Sequence, residues 1–201
     1  MKLTPESALV LVSLQRDHLQ GGALPVQHAE DVIPPANRLA EGFAAAGLTV
    51  VATRSARPAG HKSFRPQGGT WPPYGVQGTP GAEMVSELLL PEGTWVVSTG
   101  THPDLDGYSA FEGTDLAARL QAEGVQTLFV GGMTTDYAVK HTVLDAAEAG
   151  FVVVLVADAC RGLDVHVGDS ARAVNEMLRA GARIASSSAV DNALQAYSPA
   201  G

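Results

Sequence analysis

The stretch TLFVGGMTTDYAVKHTVLDAAEAGFVVVLVA, Thr127 to Ala157, decides the fold. It opens on a short apolar run from Thr127 to Gly131 and closes on a valine-rich run from Phe151 to Ala157. Between them, Thr135 to Ala149 carries the apolar spacing of a helix, and Gly150 stands where a helix-ending glycine belongs. A strand, a helix and a second strand in that order make one unit of a parallel sheet. The strands read as unbroken apolar runs, which fits a sheet covered on both faces.

The same alternation extends outward in both directions. Strands are expected at Ala8 to Ser13, Leu48 to Thr53, Trp95 to Thr99 and Arg183 to Ala185. Pro34 and Pro35 open a helix that runs to about Ala46; Thr114 caps another that ends near Glu123, with Gly124 behind it; Val165 to Ala180 is a further helix. The pattern predicts a single doubly wound α/β domain over residues 1–201, a parallel sheet of about six strands with helices on both faces. Ligands of such sheets lie beyond the carboxyl ends of the strands, which directs attention to Ser13, Thr53 to Arg57, Thr99 and Met133 to Ala138. Between Arg54 and Pro80 the chain is dense in Gly and Pro and too long for a plain connection, so it reads as a binding loop.

Composition narrows the function. The 201 residues are 45% hydrophobic and 17% charged, enough apolar material for a core and too little charge for disorder. The apolar runs are far shorter than the roughly 20 residues of a membrane helix. A net charge of −8, without a basic run, argues against nucleic acid. The one cysteine, Cys160, leaves no internal disulfide and no multi-cysteine metal site, so a reducing, cytoplasmic setting is expected.

Gln15, Asp17, Gly21, Gly22 and Leu24 after the first strand resemble the opening of a nicotinamidase, a member of the isochorismatase-like cysteine hydrolases. VATRSARPAGHKSF (Val51 to Phe64), TWPPYGVQGTPGAE (Thr70 to Glu83), TGTHPDLDGYSAF (Thr99 to Phe111), GGMTTDYAVKHTVLDA (Gly131 to Ala146) and DACRGLD (Asp158 to Asp164) are similar to that family's blocks in order and spacing. The resemblance implies the isochorismatase-like hydrolase fold and hydrolysis of an amide by a cysteine, assisted by an aspartate and a lysine. Those positions are occupied here by Ala138, Ser13 and Thr99 respectively. A methyl group is no nucleophile and a serine hydroxyl is no base near neutral pH.

The family's metal site, an aspartate and three histidines, corresponds to Ser55, Arg57, His61 and Tyr74, of which only His61 is a metal ligand. A guanidinium at Arg57 repels a divalent cation. The resemblance further implies a cis peptide between Met133 and Thr134, with the amides of Thr134 and Ala138 facing a carbonyl oxygen. It gives a ligand pocket of His18, Trp71, Tyr74, Met133, Arg57 and His61, in which Trp71 is an aromatic wall and His18 replaces a second aromatic.

The expectation is therefore a catalytically inactive homologue, without metal cofactor, that binds a small molecule or a protein partner. It is expected to form a homo-oligomer or a mixed oligomer with an active paralogue. The alternative is a diverged amidohydrolase acting on a small nicotinamide-like amide, with chemistry re-made around Ser13, His18, Arg57, His61, Tyr74 and Thr99, in one form with Ser13 served by His61 or His18 as base. Simpler roles are expected for other polar residues. Arg57 is expected to be solvated or ion-paired, although with His61 it could hold an anion. Asp136 is expected to cap a helix, Asp145 to pair on its surface, His141 to pack on it, and Cys160 to be a small structural residue.

Overall fold

The computed structural model describes residues 2–198. Among these, six strands form one sheet, all parallel: β1 (Ser7–Val12), β2 (Thr49–Ser55), β3 (Trp95–Thr99), β4 (Thr127–Met133), β5 (Val152–Arg161) and β6 (Arg183–Ala185). Their order across the sheet is β3-β2-β1-β4-β5-β6. The chain moves outward one way from β1 and then returns to build the other half from β4. The switch point lies between β1 and β4, where open sheets of this kind place their ligands. Every residue of β1 is buried, as a central parallel strand covered on both faces requires.

Among the described residues five α-helices cover the sheet: α1 (Ile33–Ala45), α2 (Leu116–Ala122), α3 (Lys140–Glu148), α4 (Asp169–Arg179) and α5 (Ser187–Gln195). One apolar cluster packs α1 and α5 onto the sheet through Leu39, Phe43, Phe129, Val156 and Val190. A second, on the opposite face, joins α2, α3 and α4 through Leu116, Leu120, Val143 and Met177. Burying a side chain such as Phe43 contributes about 1.5–3 kcal/mol, and its ring meets Phe129 edge-on at 5.3 Å.

The strands fall where the apolar runs predicted them, with β5 running four residues further, to Arg161, past a register irregularity opposite Val130 and Gly132. Helix starts depart more. The segment after Thr134 begins as one π-helical turn (Thr135–Val139) before α3. Helix α4 starts at Asp169 rather than Val165, because Gly168 in a left-handed conformation (φ 88°) sets its N-terminus. The cap position of α2 is Asp115; the Thr114 hydroxyl nevertheless accepts the Leu116 N–H at 3.3 Å. Helix α5 has no counterpart among the expected helices, although the Ser186 side chain accepts the Ala189 N–H as an ordinary N-cap. Among the described residues no helix is long and apolar enough to cross a membrane.

Candidate functional site

At the carboxyl end of β1 the chain turns sharply. Ser13 sits in the left-handed region (φ 48°), and its N–H donates to the carbonyl and the hydroxyl of Thr53 at 3.1 and 3.2 Å. Two side chains of the following segment fasten the Gly- and Pro-rich loop over the sheet. Gln15 Nε2 donates to the carbonyls of Ser55 (2.9 Å) and Ala82 (2.7 Å), and its Oε1 accepts the Ser55 N–H at 2.7 Å. The Asp17 carboxylate accepts the N–H groups of Gly75 (2.7 Å) and Ala23 (3.2 Å). Asp17 is a brace between two loops, each of its carboxylate oxygens accepting one backbone N–H.

Beneath that loop lies a cavity of about 10 Å³ bordered by Ser13, His18, Ser55, Arg57, Thr134 and Ala138, and roofed by Trp71, Tyr74, Tyr108 and Tyr137. Leu24 and Leu163 complete its wall. The cavity straddles the switch point, since Ser13 follows β1 and Thr134 follows β4. The Met133–Thr134 peptide is cis. The roof is held by a hydrogen bond from Trp71 Nε1 to the Tyr108 hydroxyl (2.7 Å) and by the edge-on packing of Trp71 against Tyr137 (4.8 Å). A volume of this size admits about one water molecule, which needs roughly 10–15 Å³.

Arg57 fills the space around the cavity. The residue is 1% exposed. Nη2 donates to the carbonyls of Gly107 (3.1 Å) and Asp106 (3.4 Å), and the guanidinium carbon lies 4.4 Å from the Tyr74 ring centroid. Nε and Nη1 have no hydrogen-bond partner among the described residues. The group packs on the α-carbon of Gly100: a Cβ there would fall 2.9 Å from Arg57 Cγ and 3.2 Å from Cζ. The expected solvated or ion-paired state is thus corrected. Tyr74, Tyr108 and Gly100 shut out water, while the Asp106 carboxylate pairs at 3.1 Å with Lys62 instead.

The histidines respond to burial and to this charge. Burial holds His18 below the ordinary value of 6.5 against the opposing pull of its hydrogen bond to the Leu24 carbonyl at 3.1 Å. His61 is also lowered, by burial first and by the Arg57 charge second. Its Nδ1 meets the Ser63 hydroxyl at 2.8 Å, and Nε2 has no partner among the described residues. Burial pushes the Tyr74 phenol up to about 12.

Several expected pocket residues lie elsewhere. Met133 is fully buried in the apolar core with Phe129 and Val156, because strand alternation turns it away from the cavity. His61 packs beside Phe64, and Thr99, buried at the end of β3 beside Ser55, is outside the cavity wall. No hydrogen bond joins Ser13 to His18 or His61; Nδ1 of each imidazole is engaged elsewhere. Asp136 does not cap its own helix. Its carboxylate accepts the N–H groups of Leu163 (3.0 Å) and Asp164 (2.8 Å), pinning the loop after β5. His141 packs on Tyr108 at 5.4 Å, and Cys160 is buried, its thiol pushed up to about 12 by desolvation. Tyr108 and Tyr137 were quoted within the family-like blocks yet not read as site residues. Their place in the roof depends on contacts distant in sequence, the hydrogen bond from Trp71 to Tyr108 and the packing of Trp71 on Tyr137.

A doubly wound parallel sheet with its cavity at this switch point is the architecture of the isochorismatase-like α/β proteins. The chain belongs to that family: the model of the isochorismatase domain matches residues 7–189. Among characterised relatives, the nicotinamidase of Escherichia coli strain K12 is 36% identical, the match covering 90% of this chain and 94% of that one. The pyrazinamidase of Pyrococcus horikoshii, solved in complex with zinc, is 44% identical and superposes with a TM-score of 0.86 over 90% of this chain and 99% of that one. A nicotinamidase of Acinetobacter baylyi is 34% identical, over 93% and 95% of the two chains. The protein is therefore a nicotinamidase-like homologue.

Proposed function

We propose that this homologue does not hydrolyse amides and uses what remains of the family's site as a binding cavity. The observation that carries the reading is the buried guanidinium of Arg57 beside a cavity of about 10 Å³. Clefts that take ring-sized ligands run to roughly 300–1,000 Å³. A nicotinamide ring has no room under Trp71 and Tyr108 unless the roof opens. Ala138 borders the cavity at the position where the resemblance places the nucleophile, and a methyl group forms no acyl bond.

The residues present do not fit the zinc of the pyrazinamidase-like relative. Among the described residues no three His, Cys, Asp or Glu side chains cluster in a way that could hold a metal ion. Of Ser55, Arg57, His61 and Tyr74, only His61 offers an imidazole, and it lies beside a fixed positive charge. The diverged-hydrolase reading, with Ser13 as nucleophile, lacks a base in contact with it. The partner is a small molecule or a protein surface, with neither nucleic acid nor membrane engaged. The assembly is a homo-oligomer or a mixed oligomer with an active paralogue.

The test is a metal and ligand inventory. Protein purified and dialysed against Zn²⁺, Fe²⁺ or Mn²⁺ should retain no stoichiometric ion, and nicotinamide should leave the melting temperature unchanged. One zinc per chain, lost on substituting His61 by alanine, would contradict the reading.

A further inference from the structure

We propose that Arg57 and the cavity it borders form a site for one small anion of halide size. The proposal rests on the reading above only in taking the cavity as a binding site rather than a hydrolytic centre. Arginine stays charged in proteins, and a buried, uncompensated cation costs several kcal/mol. Charges buried to this degree are ordinarily paired, yet Arg57 meets two carbonyls and an aromatic face but no carboxylate. The acids around it are committed elsewhere: Asp106 to Lys62, Asp17 to backbone amides, Asp136 to the loop after β5.

Two donors are left over, Nε and Nη1. They lie on opposite edges of the guanidinium, so one anion takes one of them. The rest of the cavity's polar lining is Ser13, Ser55 and Thr134, whose hydroxyls can donate to an anion, with His18, Trp71 and the phenols of Tyr74, Tyr108 and Tyr137, and no carboxylate-bearing residue lines it. Size then selects within the class. The roof leaves space close to that of a water molecule, so a halide, somewhat larger than water, needs only a small outward shift of the roof, whereas an aromatic carboxylate needs the roof to open.

The probe is bromide. The full chain is melted in sodium gluconate, with gluconate replaced stepwise by sodium bromide at constant ionic strength, and crystals are soaked in bromide for anomalous diffraction. The expected results are a saturable rise in Tm on the order of 5 °C, no rise in Arg57→Met, and an anomalous peak within hydrogen-bonding reach of Nε or Nη1. Sodium nicotinate at matched ionic strength should give no rise. The proposal is overturned by a linear or absent response, by an equal response in Arg57→Met, or by peaks confined to surface lysines. Should Arg57→Met fail to fold, the wild-type anomalous map decides alone. Ammonia release from nicotinamide, measured on the same wild-type sample, would sink the non-hydrolytic reading and leave the bromide result standing.

Discussion

Replacing Arg57 by methionine in bromide- and chloride-free buffer is expected to raise the melting temperature slightly, the reverse of the usual outcome for a buried residue. The wild-type side chain carries a charge out of water, an effective cost of roughly 5 kcal/mol once relaxation is allowed. Against this stand the cation–π contact with Tyr74, about 2 kcal/mol when desolvated, and the bond to Gly107, whose orphaned carbonyl would cost about 2 kcal/mol. Methionine fills most of the vacated volume with a flexible apolar chain. The balance favours the variant by about 1 kcal/mol, a rise of roughly 2–4 °C for a domain of this size. Differential scanning calorimetry in sodium gluconate measures it. A fall of more than about 6 °C would refute the reasoning, because it would mean that the guanidinium is fully compensated and that its loss breaks a satisfied network.

Three further outcomes follow from the same geometry. Stability should decline as pH falls through 6.5. His18 and His61 are held below that value in the fold, so the unfolded chain takes up their protons first; His18→Gln should flatten the slope of Tm between pH 7.5 and 5. Cys160, buried with its thiol pushed up to about 12, should resist a thiol reagent at pH 8 for as long as the fold persists and react at once in denaturant. Restoring the family triad alone, with Ser13→Asp, Thr99→Lys and Ala138→Cys, should yield no ammonia from nicotinamide, because Arg57 and Tyr74 still fill the site. Measurable release should require Ser55→Asp, Arg57→His and Tyr74→His as well, with zinc supplied.

The sheet was legible in the sequence because parallel strands buried on both faces must be apolar throughout, as in Ala8 to Val12 and Phe151 to Val156. The helix boundaries were less so, since the left-handed backbone at Gly168 overrides local spacing at the start of α4. The meeting of Ser13 with Ala138 across the switch point was readable from the family-like blocks, and both border one cavity. Two things were not readable. Strand alternation carries Met133 into the core, and the enclosure of Arg57 depends on Tyr74 from one loop and on Tyr108 and the carbonyls of residues 106 and 107 from another. The sequence showed a cation in a metal-site position; only the three-dimensional arrangement reveals that it is buried without an acid.

The most direct test of the central claim is ammonia release from nicotinamide by the purified chain, with Zn²⁺, Fe²⁺ or Mn²⁺ present and a Ser13→Ala, His61→Ala double variant as control. The account predicts no release above that control with any of the three ions. Sustained release that the double variant abolishes would show that the old reaction has been rebuilt on new residues, and would contradict it.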